Sequence, residues 1–346
     1  MLTWVSFLNK HGNNGINSDH SLLDTREVIL VSNKIRFKIK QLVYLCLFIV
    51  IFYLGCATET VSLRNQEKAP TFTQDLNVLA NSNGKIVKQK EIRIKSKWSE
   101  LIECYKIKYL SDGYQVVGFI VKPKGEGSKY PMMIFNRGGN REFGKLTKKS
   151  LRYLSFLSSN NYVILASQYR GNDGGQGKDE FGGKDVNDVL NLIKMAKSLP
   201  FINPTKIVML GFSRGGMMTY LAIKHGAEIK AAAVVGGVTD LGQMYNEREE
   251  AMKKVIRELV GMDKTEWEKR SAYHWPEKID VPILILHGED DWRVKVSQAK
   301  KLSEKLKQAG KVHDLEIFSK GDHGLNTHRS ERNQRIFDWF ERYVNR

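Results

Sequence analysis

Beyond about residue 90 the chain alternates two hydrophobic patterns. Short apolar runs, CYKIKYL (104–110), YQVVGFIVKP (114–123), PMMIFN (131–136), YVILASQYR (162–170), KIVMLGF (206–212), AAAVVGG (231–237), VPILILHG (281–288) and LEIF (315–318), have the length and composition of strands. Most are apolar throughout, as strands covered on both faces require. Between them lie stretches such as DVNDVLNLIKMAKSL (185–199), whose apolar residues recur every three or four positions, the helical period. The first two runs are separated by the turn signal SDG and predict an antiparallel hairpin at one edge. Alternating strand and helix predict an α/β domain over 90–346: a mostly parallel sheet of about eight strands, with helices on both faces. Between AAAVVGG and VPILILHG the pattern changes, and residues 240–275, with EAMKKVIRELVGM among them, predict a small helical cap.

Upstream the chain reads differently. Asn33–Lys40 carries Lys34, Arg36, Lys38 and Lys40, and an uncharged run from Leu42 to Leu54 follows. That run is short for a membrane span, which needs about 20 apolar residues, but it has the length of a signal-peptide core. It ends in YLGC, which resembles a bacterial lipoprotein signal with Cys56 as the lipidated residue. The expectation is an exported, membrane-associated protein, with a plain signal peptide or an uncleaved N-terminal anchor as alternatives. The polar residues ahead of the basic run lie awkwardly for a signal peptide and suggest an upstream mis-assigned start. Residues 57–89 are polar with few aromatics and read as a tether.

Composition adds little to fold class: 41% hydrophobic and 10% aromatic residues suit a globular core. The formal charge of +17 raises the question of nucleic acid, but the lysines are scattered and no zinc-ligand set or basic-region helix accompanies them, so none is expected. Three cysteines cannot form a disulfide framework, and Cys104 falls in a strand as a small buried hydrophobe. The eight histidines include no HExxH or similar spacing, so neither a metal nor another cofactor is expected.

The chemistry is carried by Gly211-Phe212-Ser213-Arg214-Gly215, between the strand KIVMLGF and a helix starting near Met217. This is G-x-S-x-G in the strand–turn–helix setting of the α/β-hydrolase nucleophile. The turn lifts the serine hydroxyl out of the sheet and sets the Arg214 N–H at a helix N-terminus as an oxyanion donor. A serine hydroxyl is a weak nucleophile alone, so a histidine and a carboxylate must follow. VPILILHG runs into the acidic loop EDDWRV, and LEIF runs into SKGDHGL, which carries His323; both loops follow strand ends, where open α/β sheets keep their sites. His287 ends a strand and reads as a packed structural histidine, and His328 as a surface residue. GNDGGQGKDEFGG (171–183) lacks the P-loop spacing and reads as a mobile loop.

From Tyr109 to the C-terminus the chain resembles the catalytic domain of the prolyl oligopeptidase family of serine peptidases. The ordered blocks YLSDGYQVVGFIVKP, NRGGN, YRGNDGGQGKDEFGGKDVNDV, GFSRGG, HGEDDWRV and GDHGL followed by IFDWFERY carry the likeness. The family pattern H-G-x-x-D-x-x-V falls on His287, Gly288, Asp291 and Val294, which selects Asp291 over Asp290 as the triad acid, and the terminal histidine falls on His323. Where the family's peptidases place an oxyanion tyrosine before Gly-Gly, this chain has Arg137, so a backbone N–H at Gly138 or Gly139 is the expected second donor. The resemblance implies a β-propeller that the few tens of residues after Cys56 leave no room for. Substrate contacts are expected from Arg137 and from the cap aromatics Tyr245 and Trp275, which with Trp267 and Tyr273 could instead pack the cap.

The expected function is therefore an exported serine hydrolase cleaving small peptides through an acyl-enzyme. A carboxylesterase acting on small acyl esters is the alternative. A non-catalytic surface binding module is a third reading, and the complete Ser, Asp, His set argues against it.

Overall fold

The computed structural model describes residues 82–125 and 129–345. Among them nine strands form one sheet in the order β1-β2-β3-β5-β4-β6-β7-β8-β9. These are β1 (Ile86–Glu91), β2 (Ile102–Ser111), β3 (Tyr114–Pro123), β4 (Tyr130–Asn136), β5 (Val163–Ser167), β6 (Ile202–Phe212), β7 (Ala231–Val235), β8 (Ile283–Gly288) and β9 (His313–Phe318). From β5 through β4 to β9 all neighbours are parallel, and β1, β2 and β3 join antiparallel. The predicted hairpin is β2–β3, paired from Ser111↔Tyr114 outward.

Strand alternation divides the core in two. Met132 and Ile134 of β4 and Ile207 and Met209 of β6 face one cluster, whereas Met133, Phe135, Val208 and Leu210 face the other. The first cluster is closed by α2 (Val186–Ser198), α3 (Arg214–Lys224) and α7 (Val296–Gln308); the second by α1 (Lys148–Ser158) and α8 (Arg329–Val344). Both faces are thus covered, and the α/β expectation holds. Cys104 is buried in β2, where burial pushes its thiol up to about 12. The cap is built of α4 (Leu241–Glu247), α5 (Glu250–Leu259), α6 (Lys264–Lys269) and a short turn at Ala272–His274. Asp240 opens it, accepting a hydrogen bond from the Gln243 N–H at 2.9 Å.

The sheet has one strand more than expected. β1 crosses the expected boundary at 89/90, because residues read as tether pair antiparallel with β2 from Ile86↔Tyr109 to Glu91↔Tyr105. The strand IVKQKE is exposed along most of its length and so lacks the alternation that would announce it. The basic run, the apolar run and Cys56 lie outside the described residues. Among the described residues no helix is long and apolar enough to cross a membrane.

A buried charge pair locks the hairpin to the helical layer. Arg170, after β5, meets Asp188 of α2 at 2.7 Å, with both side chains at most 2% exposed. Asp188 also accepts from Ser111 Oγ at 2.6 Å, and Arg170 reaches Asp112 at 2.9 Å, at the hairpin turn. Removing one partner of such a pair strands the other charge out of water. We expect Asp188→Ala to cost about 3–5 kcal/mol in urea unfolding. Glu228→Ala, which removes the exposed pair with Lys197, should leave the unfolding midpoint where it is.

Candidate active site

The strand order reverses between β4 and β6, since β4 leads to β5 on one side and β6 to β7 on the other. At such a switch point the loops leaving two neighbouring strands part and open a crevice. Ser213 leaves β6 there with φ 56° and ψ −123°, a strained conformation for a residue with a side chain. Its neighbours explain the glycines. A Cβ on Gly215 would lie 1.9 Å from the Asn136 carbonyl oxygen at the end of β4, and one on Gly211 would lie 2.3 Å from the Gly215 carbonyl oxygen. Arg214 is the first residue of α3, so its N–H has no acceptor one turn back.

His323, on the loop after β9, places Nδ1 2.7 Å from Asp291 Oδ2. Asp291 follows β8, is 2% exposed, and accepts the Arg293 and Val294 N–H groups at 2.9 and 3.0 Å on Oδ1. Burial pushes the Asp291 carboxyl up, but hydrogen bonds from His287 and His323 and the charge of His323 outweigh it, leaving the group well below the usual carboxylate range. An ionised Asp291 draws the His323 proton to Nδ1 and leaves Nε2 as the basic nitrogen. Asp290, by contrast, is exposed. His287 does more than pack. It is fully buried, and its Nε2 lies 2.8 Å from the Val294 carbonyl oxygen and 3.2 Å from Asp291 Oδ2. Both partners are acceptors, so Nε2 carries a proton and donates to them. His328, half-buried, bonds the Ser319 carbonyl.

Two arginines build the loop beside the serine. The Arg214 guanidinium grips Asp179 through both terminal nitrogens at 2.9 and 2.8 Å and reaches Asp185 at 2.6 Å, between the rings of Tyr169 and Phe181. It also donates to the Gly139 carbonyl at 3.3 Å. Burial pushes the Asp179 carboxyl up; the Arg214 charge and hydrogen bonds more than reverse this, holding it at about 2 against an ordinary 3.8. Asp179 also accepts the Arg141 and Phe181 N–H groups. The stretch expected to be a mobile loop is anchored at Asn172, Asp179 and Phe181, at most 4% exposed, while Gly174 and Gln176 to Lys178 between them are exposed.

Arg137 is corrected too. It is 1% exposed, and its donors go to the carbonyls of Gly138, Arg141, Phe143 and Gln168, at 2.8 to 3.3 Å. A side chain so engaged shapes the loop rather than reaching for substrate. Burial and the neighbouring Arg214 charge lower its pKa to about 10. With the Gly138 and Gly139 carbonyls both held by guanidinium groups, the orientation of their peptides is fixed. Gly139 has φ 77° and would place a Cβ 2.2 Å from the Phe143 carbonyl oxygen.

The sequence profile of the prolyl oligopeptidase family matches residues 149–346. The chain belongs to that family. It is 33% identical over 229 residues to the uncharacterized peptidase YtmA of Bacillus subtilis, a match covering 65% of this chain and 88% of that protein. Other curated relatives are longer, and the chain spans about two fifths of them. Among solved structures, Pyrococcus horikoshii acylaminoacyl peptidase aligns with TM-score 0.61 at 23% identity, covering 70% of this chain and 42% of that one. The acetyl xylan esterase of Paenibacillus sp. R4 aligns with TM-score 0.59 at 16% identity, covering 82% and 97%. At these identities the two share the α/β-hydrolase fold. This family member is thus a serine hydrolase.

Ser213, Arg214, Gly138, Gly139 and His323 all line one pocket of about 290 Å³. The cap closes it with Met244, Arg248 and Met252. Tyr245 and Trp275 do not reach it. Tyr245 stacks on Trp267 at 4.8 Å and its hydroxyl accepts from Arg257, and Trp275 is 6% exposed with its indole N–H on the Glu268 carbonyl. Tyr245, Trp267 and Trp275 pack the cap, and Met244 and Met252 line the pocket that holds the serine. Asp179, Asp185, Met244, Arg248 and Met252 are among the site residues that sequence reasoning missed. An acidic pair inside a glycine-rich stretch, after a buried arginine, was the signal available for the first two.

Asp179→Asn leaves the buried Arg214 with one carboxylate, and we expect a loss of about 3–5 kcal/mol at neutral pH. Because the folded pKa is depressed, the contribution is complete above 3.8 and disappears as pH falls toward about 2. Urea unfolding of both proteins at pH 7 and near pH 3 should show the gap narrowing in acid; an unchanged gap would mean Asp179 is not the ionised partner.

Proposed function

We propose that Ser213 is the nucleophile, His323 the general base and Asp291 its orienting carboxylate in an exported hydrolase that cleaves small peptides through an acyl-enzyme. Ser213 Oγ attacks the substrate carbonyl carbon while its proton passes to His323 Nε2. The oxyanion takes hydrogen bonds from the N–H of Arg214 and from that of Gly138 or Gly139. Collapse breaks the bond to the leaving group, which takes the proton from His323, and water repeats the cycle on the acyl-enzyme to release the acid. Asp291 stays ionised throughout. The observation that carries this reading is the 2.7 Å contact between His323 and Asp291, with His323 and the strained Ser213 on one pocket.

Carboxylesterase activity is the second reading. It is favoured by the apolar part of the pocket lining, Phe143, Phe181, Val238, Met244 and Met252, which offers an acyl chain adaptable apolar contacts. Export is supported by the basic run ahead of Leu42–Leu54 and by Cys56.

Ser213→Ala should abolish labelling by a fluorophosphonate and lower turnover about a million-fold. Asp291→Asn should cost on the order of ten-thousand-fold and Asp290→Asn little; the reverse ranking would move the acid to Asp290. Running these on matched ester and peptide substrates separates the two readings, since an esterase turns over the ester alone. In a bacterial host, mass spectrometry should find the mature chain starting at a lipidated Cys56. An unmodified Cys56 inside a longer chain would refute the anchoring.

A further inference from the structure

A second, larger groove adjoins the serine pocket. It has a volume of about 1040 Å³ and lies between α1 and α8, floored by Tyr153, Phe156 and Phe337 and flanked by Trp98. Gly138 lines both cavities, and a Cβ there would lie 3.1 Å from Ser213 Cβ. Phe212, which precedes Ser213, and Gly324, which follows His323, also form its wall. The end of the groove formed by Gly138, Phe212 and Gly324 thus lies beside the serine turn.

Its charge is one-sided. Lys97, Arg137, Lys149, Arg152, Arg329 and Arg332 line it, and no aspartate or glutamate does. In a chain with basic residues scattered throughout, this clustering on an aromatic floor stands out. Arg332 is 3% exposed and rests on the rings of Tyr153 and Phe212 at 5.4 and 5.1 Å. Its donors go to neutral acceptors, the Gly324 carbonyl at 2.6 Å and Asn333 Oδ1 at 2.8 Å. Among the described residues no carboxylate pairs with it; Asp322 acts on it only from a distance. A cation kept dry without a counter-ion is costly unless a ligand supplies the anion. The groove therefore has an apolar floor, a positive rim and two buried cations without a carboxylate of their own, Arg332 and the carbonyl-bound Arg137.

We propose that this groove is a substrate subsite for an apolar group ending in a carboxylate, held next to the bond that Ser213 cleaves. The apolar part lies on the aromatic floor, and the carboxylate meets Arg332 and the lysines and arginines of the rim. The inference rests on the hydrolase reading given above and narrows its substrates to anionic ones. The carboxylate can enter on the acyl or on the leaving-group side, and substrates distinguish the two.

The test uses the full-length protein and pairs of aryl esters matched in length. In one pair the acyl chain ends in a carboxylate or in its methyl ester; in the other the carboxylate or methyl ester is on the leaving phenol. The carboxylate member of one pair should have about tenfold higher kcat/KM, falling as salt is added. In the triple variant Lys149→Glu, Arg152→Glu, Arg329→Glu that ratio should fall to one or below; reading the ratio within a pair cancels any general loss. Calorimetry with 4-phenylbutyrate, against 4-phenylbutanamide, reads the groove without turnover: the carboxylate should bind the wild type and not the variant. Hydrolysis of neutral esters without any preference for the anion, or a preference that survives charge reversal, overturns the subsite and leaves the catalytic reading standing. Binding of 4-phenylbutyrate with no ester or peptide hydrolysis overturns the catalytic reading instead. Equal binding of the acid and the amide refutes the anion requirement directly.

Discussion

Everything around the serine depends on one buried cation. Arg214 is the residue after Ser213, so its side chain leaves the first turn of α3 directly beside the strained serine. Two carboxylates and two aromatic rings hold that side chain in place, and one of those carboxylates also takes the N–H of Arg141. The turn carrying the serine, the loop carrying Gly138 and Gly139, and the stretch 171–185 are thereby joined through a single guanidinium. A buried ion pair seldom adds much stability over an apolar substitute, because desolvation consumes most of the attraction. What it can do is permit one arrangement of three loops, and geometry is what an oxyanion site requires.

Arg137 complements this from the other side. It has no carboxylate of its own and is satisfied by main-chain carbonyls, and it shares the Tyr169 ring with Arg214. The family's peptidases place a hydroxyl donor at this point, and here a guanidinium does a different job. Asp291 shows the same economy of groups: one oxygen takes two backbone N–H groups and the other faces two imidazoles, so its rotamer is fixed by bonds on both sides.

The buried parts of this architecture were legible because burial leaves a pattern. Strand runs such as Met132 to Phe135 are apolar throughout, and G-x-S-x-G has meaning because Gly215 and Gly211 have no room for a Cβ. Asp291 was separable from Asp290 only by family spacing, since chemistry alone makes the two equivalent. Other features left no such trace. β1 pairs through its backbone while its side chains face water, so nothing in IVKQKE distinguishes it from a tether. Tyr245, Trp275 and Arg137 were misassigned because side-chain type says what a residue can contact and nothing about which way it faces. The long-range partners of Arg214 lie 29 and 35 positions away and follow no period.

The same plain strand has a consequence for how copies of this protein meet. An open sheet ends in a row of unpaired backbone groups, and a second chain could extend it by adding its own edge. β1 offers Lys88 and Lys90 along that margin, both exposed. Two such edges laid together would bring lysines against lysines, in a chain already carrying a formal +17. Among the described residues, then, the edge strand with the weakest sequence pattern carries charges that disfavour extension of the sheet by a like strand.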